Sequence, residues 1–424
     1  MPFRSTTPAR AVSTAVAEIS RLGLTAVVAA FGRTTQVTLL RDGTEVAVGG
    51  GSSVASAYFE ALERHLMSAA RSSVLLPARE VAAQPALAAD LVIQRWAREF
   101  PAARAACAAY GDVRYPTFLV DPRYFQHPVP GDDMHSYAGL LRYSSSLGTA
   151  AGSDAAEATY HGLCELIEHD GLSHALLRWY VAGLADADEV APDAAPAESL
   201  AEAERAVGGP VRLLDVTTDL GVPVYLAIGG GWLGAGASAW GSVAAGRALD
   251  ELAQLSGAAV PGQATINPPS PHKSEKSGGL GRWPALERCA RLPLDGLAFR
   301  QVVLRGDPPG GGSADGGSCG EGSADGGSCG EGSADGGSCG EGSADGGSCG
   351  EGSAAWGLAE VSRALAAHGI AHHTREIAPP GSLISVTSTI APGLERFSLV
   401  RHGDPVLPTG RGRRLWPSRE NAAA

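Results

Sequence analysis

The chain lacks any apolar stretch long enough to cross a bilayer. Its longest early apolar run, Leu24 to Phe31 with Thr25 inside it, has no basic lead and no cleavage site, so no signal peptide is visible and a cytoplasmic location is expected. Close cysteine pairs are missing too. Cys107, Cys164 and Cys289 stand singly and read as small buried hydrophobes rather than nucleophiles. No G-x-x-x-x-G-K-[ST] occurs, which excludes a P-loop, and the glycines of IGGGWLGAG (228–236) are too common a string to establish phosphate binding. Glycine beside a helix start still leaves backbone N–H groups for a phosphate. Glu-x-x-His pairs are absent: Leu62, Ala158 and Leu166 stand three residues before His65, His161 and His169, which excludes a di-iron carboxylate bundle.

What is present begins with 424 residues, enough for a large core or two lobes. A ten-residue repeat, GSADGGSCGE, fills roughly 312–354 and carries Cys319, Cys329, Cys339 and Cys349. It has almost no apolar mass to repay chain entropy, so disorder is its expected state. Single cysteines ten apart lack the close pairs of zinc sites, and the repeat has no apolar residues with which to stack a solenoid. An expansion within a surface loop is the expected reading, since long loops cost little stability. The repeat holds eight acids and no basic residue; without them the formal net charge of −12 would be −4. The acidity therefore describes an insert, and it disfavours nucleic acid as a partner.

The segment from Ser144 to Tyr180 carries the first sign of chemistry. It reads as a Gly-rich turn followed by one helix bearing Glu157, Glu165 and Glu168. A helical step of about 100° puts Glu168 about 20° and Glu165 about 80° from Glu157, while Tyr160, Leu163, Leu166 and Ile167 fall largely on the other side. Two carboxylates about 5 Å apart repel by roughly 3 kcal/mol at an effective dielectric near 20, a cost that a bound cation removes. The alternative is a solvated face, with Glu157 serving as a capping-box residue for Asp154.

The same plan of strand, glycines and polar helix recurs twice. Gln36 to Leu66 leads into a helix with Glu60, Glu63 and Arg64, and Pro223 to Leu255 into one with Arg247, Asp250, Glu251 and Gln254. Three such units suggest one composite site, and oxygen-only donors favour magnesium.

These residues resemble the YcaO family. Its second motif is similar to S-x-G-x-A-x-G followed by E-A-x-x-x-G-L-x-E-x-I-E-R-D, matched here by Ser146, Gly148, Ala150, Gly152, Glu157, Ala158, Gly162, Leu163, Glu165, Ile167, Glu168 and Asp170. The family's S-A-x-x-E-x-x-E-R is matched by Ser56, Ala57, Glu60, Glu63 and Arg64, and its R-A-L-x-E-x-x-Q by Arg247, Ala248, Leu249, Glu251 and Gln254. LLDVTTDLGVPVYLA (213–227) and PGLERF (392–397) also fit, so the likeness runs in order over most of 30–400. His169 stands where the family has Arg, so a titratable group replaces a permanent cation, and phosphate contact there is expected either to be weaker or to be supplied by Arg64 or Arg247. Leu147 replaces a polar residue, and the chain ends LWPSRENAAA rather than in a proline-rich tail.

The resemblance implies an α+β fold, with mixed sheets and helices around an internal groove for ATP and Mg2+. It implies that Glu60, Glu63, Glu165 and Glu168 hold the metal. Ser56, Arg64, Ser146, Glu157, His169, Arg247, Glu251 and Gln254 are the implied nucleotide contacts. The implied reaction is ATP-dependent activation of backbone amides in a ribosomally made precursor peptide. A neighbouring Cys, Ser or Thr as nucleophile gives an azoline; sulfide gives a thioamide, and an amine an amidine. A nucleotide-binding scaffold with little activity is the reading from another class, prompted by His169 and the missing tail. The expected division is an N-terminal segment to residue 30, a YcaO domain over 31–306 and 355–410, the repeat at 307–354 and a tail at 411–424. Thirty residues are too few for a leader-binding domain, so a separate leader-binding partner is expected beside the precursor peptide. A homodimer is possible, and neither membrane nor nucleic acid is expected.

Overall fold

The computed structural model describes residues 6–31, 34–69, 73–257, 280–306 and 353–417, so the ten-residue repeat and its four cysteines lie outside it. Four sheets organise the described chain. β1 (Thr25–Phe31), β2 (Thr34–Arg41) and β3 (Thr44–Gly51) form an antiparallel meander, and β4 (Val74–Pro77), β5 (Arg104–Tyr110) and β6 (Val113–Pro116) form a second. β7 (Thr149–Gly152) lies in a third sheet. The fourth joins β8 (Asp186–Val190), β9 (Arg212–Asp215), β10 (Val224–Gly229), β11 (Trp232–Ala237) and β12 (Ala298–Val302) in the order β11-β10-β9-β8-β12. Only the β12–β8 pair is parallel there. Two late strands, β13 (His373–Glu376) and β14 (Ser385–Ile390), reach back to β7, with Ser385 opposite Gly152 and Ser388 opposite Thr149. The late ISVTSTI strand is thus paired directly to the strand of the second unit.

Helices of eight residues or more are numbered α1 (Pro8–Arg21), α2 (Val54–Ala69), α3 (Leu91–Glu99), α4 (Ala155–Leu176), α5 (Ala197–Val207), α6 (Gly241–Gly257), α7 (Pro284–Arg291) and α8 (Ala354–Ala367). The resulting mixture of sheets and helices is the expected α+β class. No helix among the described residues is long and apolar enough to cross a membrane.

Glycine sets the distance between strand and helix in each of the three units. A Cβ added at Gly49 would lie 2.3 Å from Ala61 N in α2, one at Gly152 2.6 Å from Ala158 N in α4, and one at Gly234 2.4 Å from Leu252 N in α6. Backbone therefore rests directly on backbone, and any side chain would force the layers apart. The same holds within the second unit, where Gly162 of α4 sits against the carbonyl of Gly148, itself at φ +83°.

α4 starts where Asp154 accepts the Glu157 N–H at 2.8 Å, and it buries Tyr160, Leu163 and Ile167, worth about 1.5–3 kcal/mol each. The described residues before 31 belong to the same body. β1 is hydrogen-bonded to β2, and α1 is fastened by buried Glu18, which accepts from Arg21 at 2.7 Å and from Leu383 N at 3.0 Å. The expected boundary at residue 30 thus falls inside β1. The expected end of the repeat at 354 overlaps α8, whose first turn is capped by Ser353 accepting the Trp356 N–H at 3.2 Å.

Candidate active site

Each unit aims a helix glutamate back at its own strand or turn. Glu60 Oε2 accepts the Gly50 N–H at 2.8 Å, Glu165 Oε2 the Gly148 N–H at 2.9 Å, and Glu251 Oε2 the Ala235 N–H at 2.7 Å. The residue one turn further on reaches to the next unit. The Ala151 N–H faces Glu63, and the Ala237 N–H faces Glu168. Gln254 completes the circuit: a Cβ on Gly50 would stand 3.5 Å from Gln254 Nε2 and 4.0 Å from Glu60 Oε2. The i, i+3 spacing read along one helix is thus the same device used three times, and it closes into a ring.

The ring concentrates negative charge. Burial pushes Glu60 up, opposed by Arg64 and the Gly50 N–H. Glu63 is held well above the usual carboxylate range, by burial first and then by Glu165 and Glu60. Burial raises Glu165 to about 7, with Glu251 and Glu60 adding to it against the Gly148 N–H. Glu168 is raised well above its ordinary value by burial, Glu251 and Glu165, and Glu251 reaches about 7 through burial, with the Ala235 N–H and Arg401 opposing. The five carboxylates of three helices therefore lie close enough to raise one another.

The remaining predicted residues are placed as follows. Arg64 pairs with Glu60 and donates to Val48 O at 2.9 Å; Arg247 donates to Ala237 O at 3.2 Å and lies 6.0 Å from the Tyr160 ring. Ser56 is engaged with Ser53 at the start of α2, its Oγ donating to Ser53 O at 2.9 Å. Ser146 lies in the turn before β7, its carbonyl accepting the Thr149 N–H at 3.0 Å. Glu157 takes part in the helix start, because its Oε2 accepts the Ser153 N–H at 3.1 Å while its own N–H is capped by Asp154. His169 turns its Nδ1 to Ser398 Oγ at 2.9 Å, and burial, His402 and Arg401 push its pKa down to about 4. The ring is therefore neutral at physiological pH, in keeping with the expected loss of a fixed cation at this position.

Two groups went unassigned in the sequence. Buried Glu395 of PGLERF gathers the N–H groups of Arg396, Phe397, Thr409, Gly410 and Gly412 onto its two oxygens at 2.9–3.1 Å. It sets the path of the chain around 392–412, and the matched phrase was its only signal. Arg401, in the turn Phe397–His402 that follows, is close enough to Glu251 and His169 to shift both.

Oxygen donors, an excess of negative charge and backbone-fixed orientation suit magnesium with a nucleotide. Among the described residues no three acidic, imidazole or thiol groups close on a single point. That spread also suits magnesium, which takes one or two protein carboxylates and completes its shell with water and substrate phosphate.

A search of curated protein sequences finds no match to this chain. In fold the chain is similar to a "Heterocyclase in complex with substrate and Cofactor", with TM-score 0.59 and 17% identity over 92% of this chain and 52% of that one. It thus spans about half the length of that heterocyclase. It is similar over 96% of both chains to YcaO from Methanopyrus kandleri bound with AMPPCP and Mg2+, with TM-score 0.55 and 17% identity. The E. coli microcin synthetase McbBCD complex with pro-MccB17 bound is similar over 88% of both chains, with TM-score 0.52 and 12% identity. At these identities the likeness concerns the fold. The family described as "YcaO cyclodehydratase, ATP-ad Mg2+-binding" matches residues 51–395. With most of its length covered by that match, the chain belongs to the YcaO family.

Proposed function

We propose that the protein is an ATP-dependent cyclodehydratase that activates backbone amides of a ribosomally made precursor peptide and closes azoline rings on them. The observation that carries this reading is the ring of helix carboxylates, each pair oriented by backbone N–H groups, in a chain of this family. An amide oxygen is a poor leaving group; attack by a neighbouring Cys, Ser or Thr and phosphorylation of the resulting oxyanion, with ATP as co-substrate, make it a good one. Bound magnesium supplies charge neutralisation to the phosphate chain.

The chain's own residues divide the work. Glu60, Glu63, Glu165 and Glu168 would hold magnesium, one or two carboxylates to an ion, and Ser56, Ser146, Arg64, Arg247, Glu251 and Gln254 line the nucleotide. Glu157 supports the start of α4, and His169 is a neutral neighbour of the phosphates, pinned by Ser398. The described residues on the two sides of the repeat form one YcaO unit, and the protein works in the cytoplasm. A precursor peptide and a separate leader-binding protein are its partners, in line with the peptide-bound complex among the similar folds.

Incubation with a candidate precursor, partner, ATP and magnesium, read by mass spectrometry, tests the proposal. Loss of one water per ring is the expected result. Exchange of oxygen for sulfur identifies a thioamide former, and an unchanged peptide at saturating ATP overturns the enzymatic reading in favour of a scaffold.

A further inference from the structure

Three arginines border the carboxylate ring, and two have donors already engaged. Arg64 is paired with Glu60 and bonded to Val48 O, and Arg247 is bonded to Ala237 O. Arg401 differs. Its Nη1 is buried and has no hydrogen-bond partner among the described residues. A buried guanidinium nitrogen without an acceptor is costly, and it persists where a ligand supplies the missing oxygen.

The turn that carries Arg401 is fixed rather than loose. Ser398 N donates to Ser173 Oγ at 2.7 Å, Ser398 Oγ meets His169 Nδ1 at 2.9 Å, and Ser173 Oγ donates to His169 O at 2.6 Å. One residue before the Arg396–Phe397 step, Glu395 N donates to Asp170 Oδ1 at 2.8 Å. The turn is therefore held against α4 at Asp170, Ser173 and His169, and the Arg401 guanidinium lies near His169 and Glu251 of α6. His169, the group at the family's arginine position, has its Nδ1 committed to Ser398.

We propose that Arg401 is the phosphate-contacting cation of this site, its unpartnered Nη1 donating to a non-bridging oxygen of the nucleotide's polyphosphate chain. This rests on the reading of the groove as a Mg–ATP site. A guanidinium brought in from the late turn thus provides the fixed charge that position 169 lacks. Burial lowers the group to about 10, so it stays charged at neutral pH. Its planar fork suits phosphate better than an ammonium does.

Calorimetry on the full chain tests this with three probes in the presence of magnesium: a non-hydrolysable ATP analogue, AMP and inorganic tripolyphosphate. Arg401→Gln is expected to weaken the analogue and tripolyphosphate by roughly 10- to 100-fold while leaving AMP nearly unchanged. Arg401→Lys should fall between, which separates a charge contact from a folding defect. Unchanged analogue affinity in Arg401→Gln, or an equal loss for AMP, overturns the inference while the nucleotide reading stands. If the wild type binds tripolyphosphate through Arg401 but no nucleotide, the anion contact stands and the ATP reading falls. If it binds neither, both fall.

Discussion

Replacing Glu165 with Gln should stabilise the ligand-free protein at alkaline pH. Glu165 is raised to about 7 from an ordinary 4.5 by burial and by its acidic neighbours. Below pH 4.5 the folded and unfolded forms are both protonated and the site carries no penalty. Between 4.5 and about 7 the folded form holds more protons than the unfolded chain, so stability falls as pH rises. Above 7 the whole cost is present. Converted in full at about 1.4 kcal/mol per pH unit, the displacement is worth about 3 kcal/mol; Glu165 is partly exposed, and about 1–2 kcal/mol is the expected share. Gln keeps the volume and leaves a carbonyl to accept the Gly148 N–H. Thermal melts of both proteins without magnesium or nucleotide, at pH 5 and pH 8, read the effect. The variant should melt a few degrees higher at pH 8, and the gap should narrow at pH 5. Magnesium with an ATP analogue should then raise the wild type more than the variant, because a cation removes the repulsion that the substitution has already removed. A variant that is less stable than the wild type at pH 8, or displaced equally at both pH values, would refute the charge account of the ring.

Further outcomes follow from other parts of the molecule. Glu168→Gln keeps the fold but should reduce ATP turnover sharply, measured as phosphate release; wild-type turnover would overturn the metal assignment. Gly162→Ala would place a Cβ 2.5 Å from Gly148 O, and because that neighbour is backbone the expected loss is about 1–3 kcal/mol in denaturant melts. An unchanged midpoint would show that the second unit tolerates a wider gap. Excising 312–352, which spares the Ser353 cap of α8, should leave both the melting temperature and nucleotide binding intact, and loss of either would contradict the reading of the repeat as a tolerated insertion.

The helix from Asp154, its buried face and the three glycine-to-helix units were legible because each is governed by local periodicity. Two readings of Glu157 stood level in the sequence, and its hydrogen bond to Ser153 N places it in the helix start. The fourth sheet was not legible. Its strands are four to six residues long, and the order β11-β10-β9-β8-β12 follows from pairings between distant segments. Glu395 and Arg401 were hidden for a related reason. Each sits in or beside a short turn without period, and its importance comes from groups supplied by α4, α6 and the 409–412 stretch. The circuit from Glu63 to the second unit and from Glu168 to the third was equally invisible, since a helix pattern tells which residues share a face but not whose backbone they meet.

That circuit bears on how the protein is made. Beside it, Thr34 Oγ1 of β2 donates to the carbonyl of Gln254 at 3.3 Å across 220 positions, and Arg401 comes later still. A growing chain that has passed α2 and α4 carries four of the acids while the third unit and the Phe397–His402 turn are still unmade. The ring with its bordering Arg401 is therefore completed only late in synthesis, after the chain on both sides of the repeat has been made.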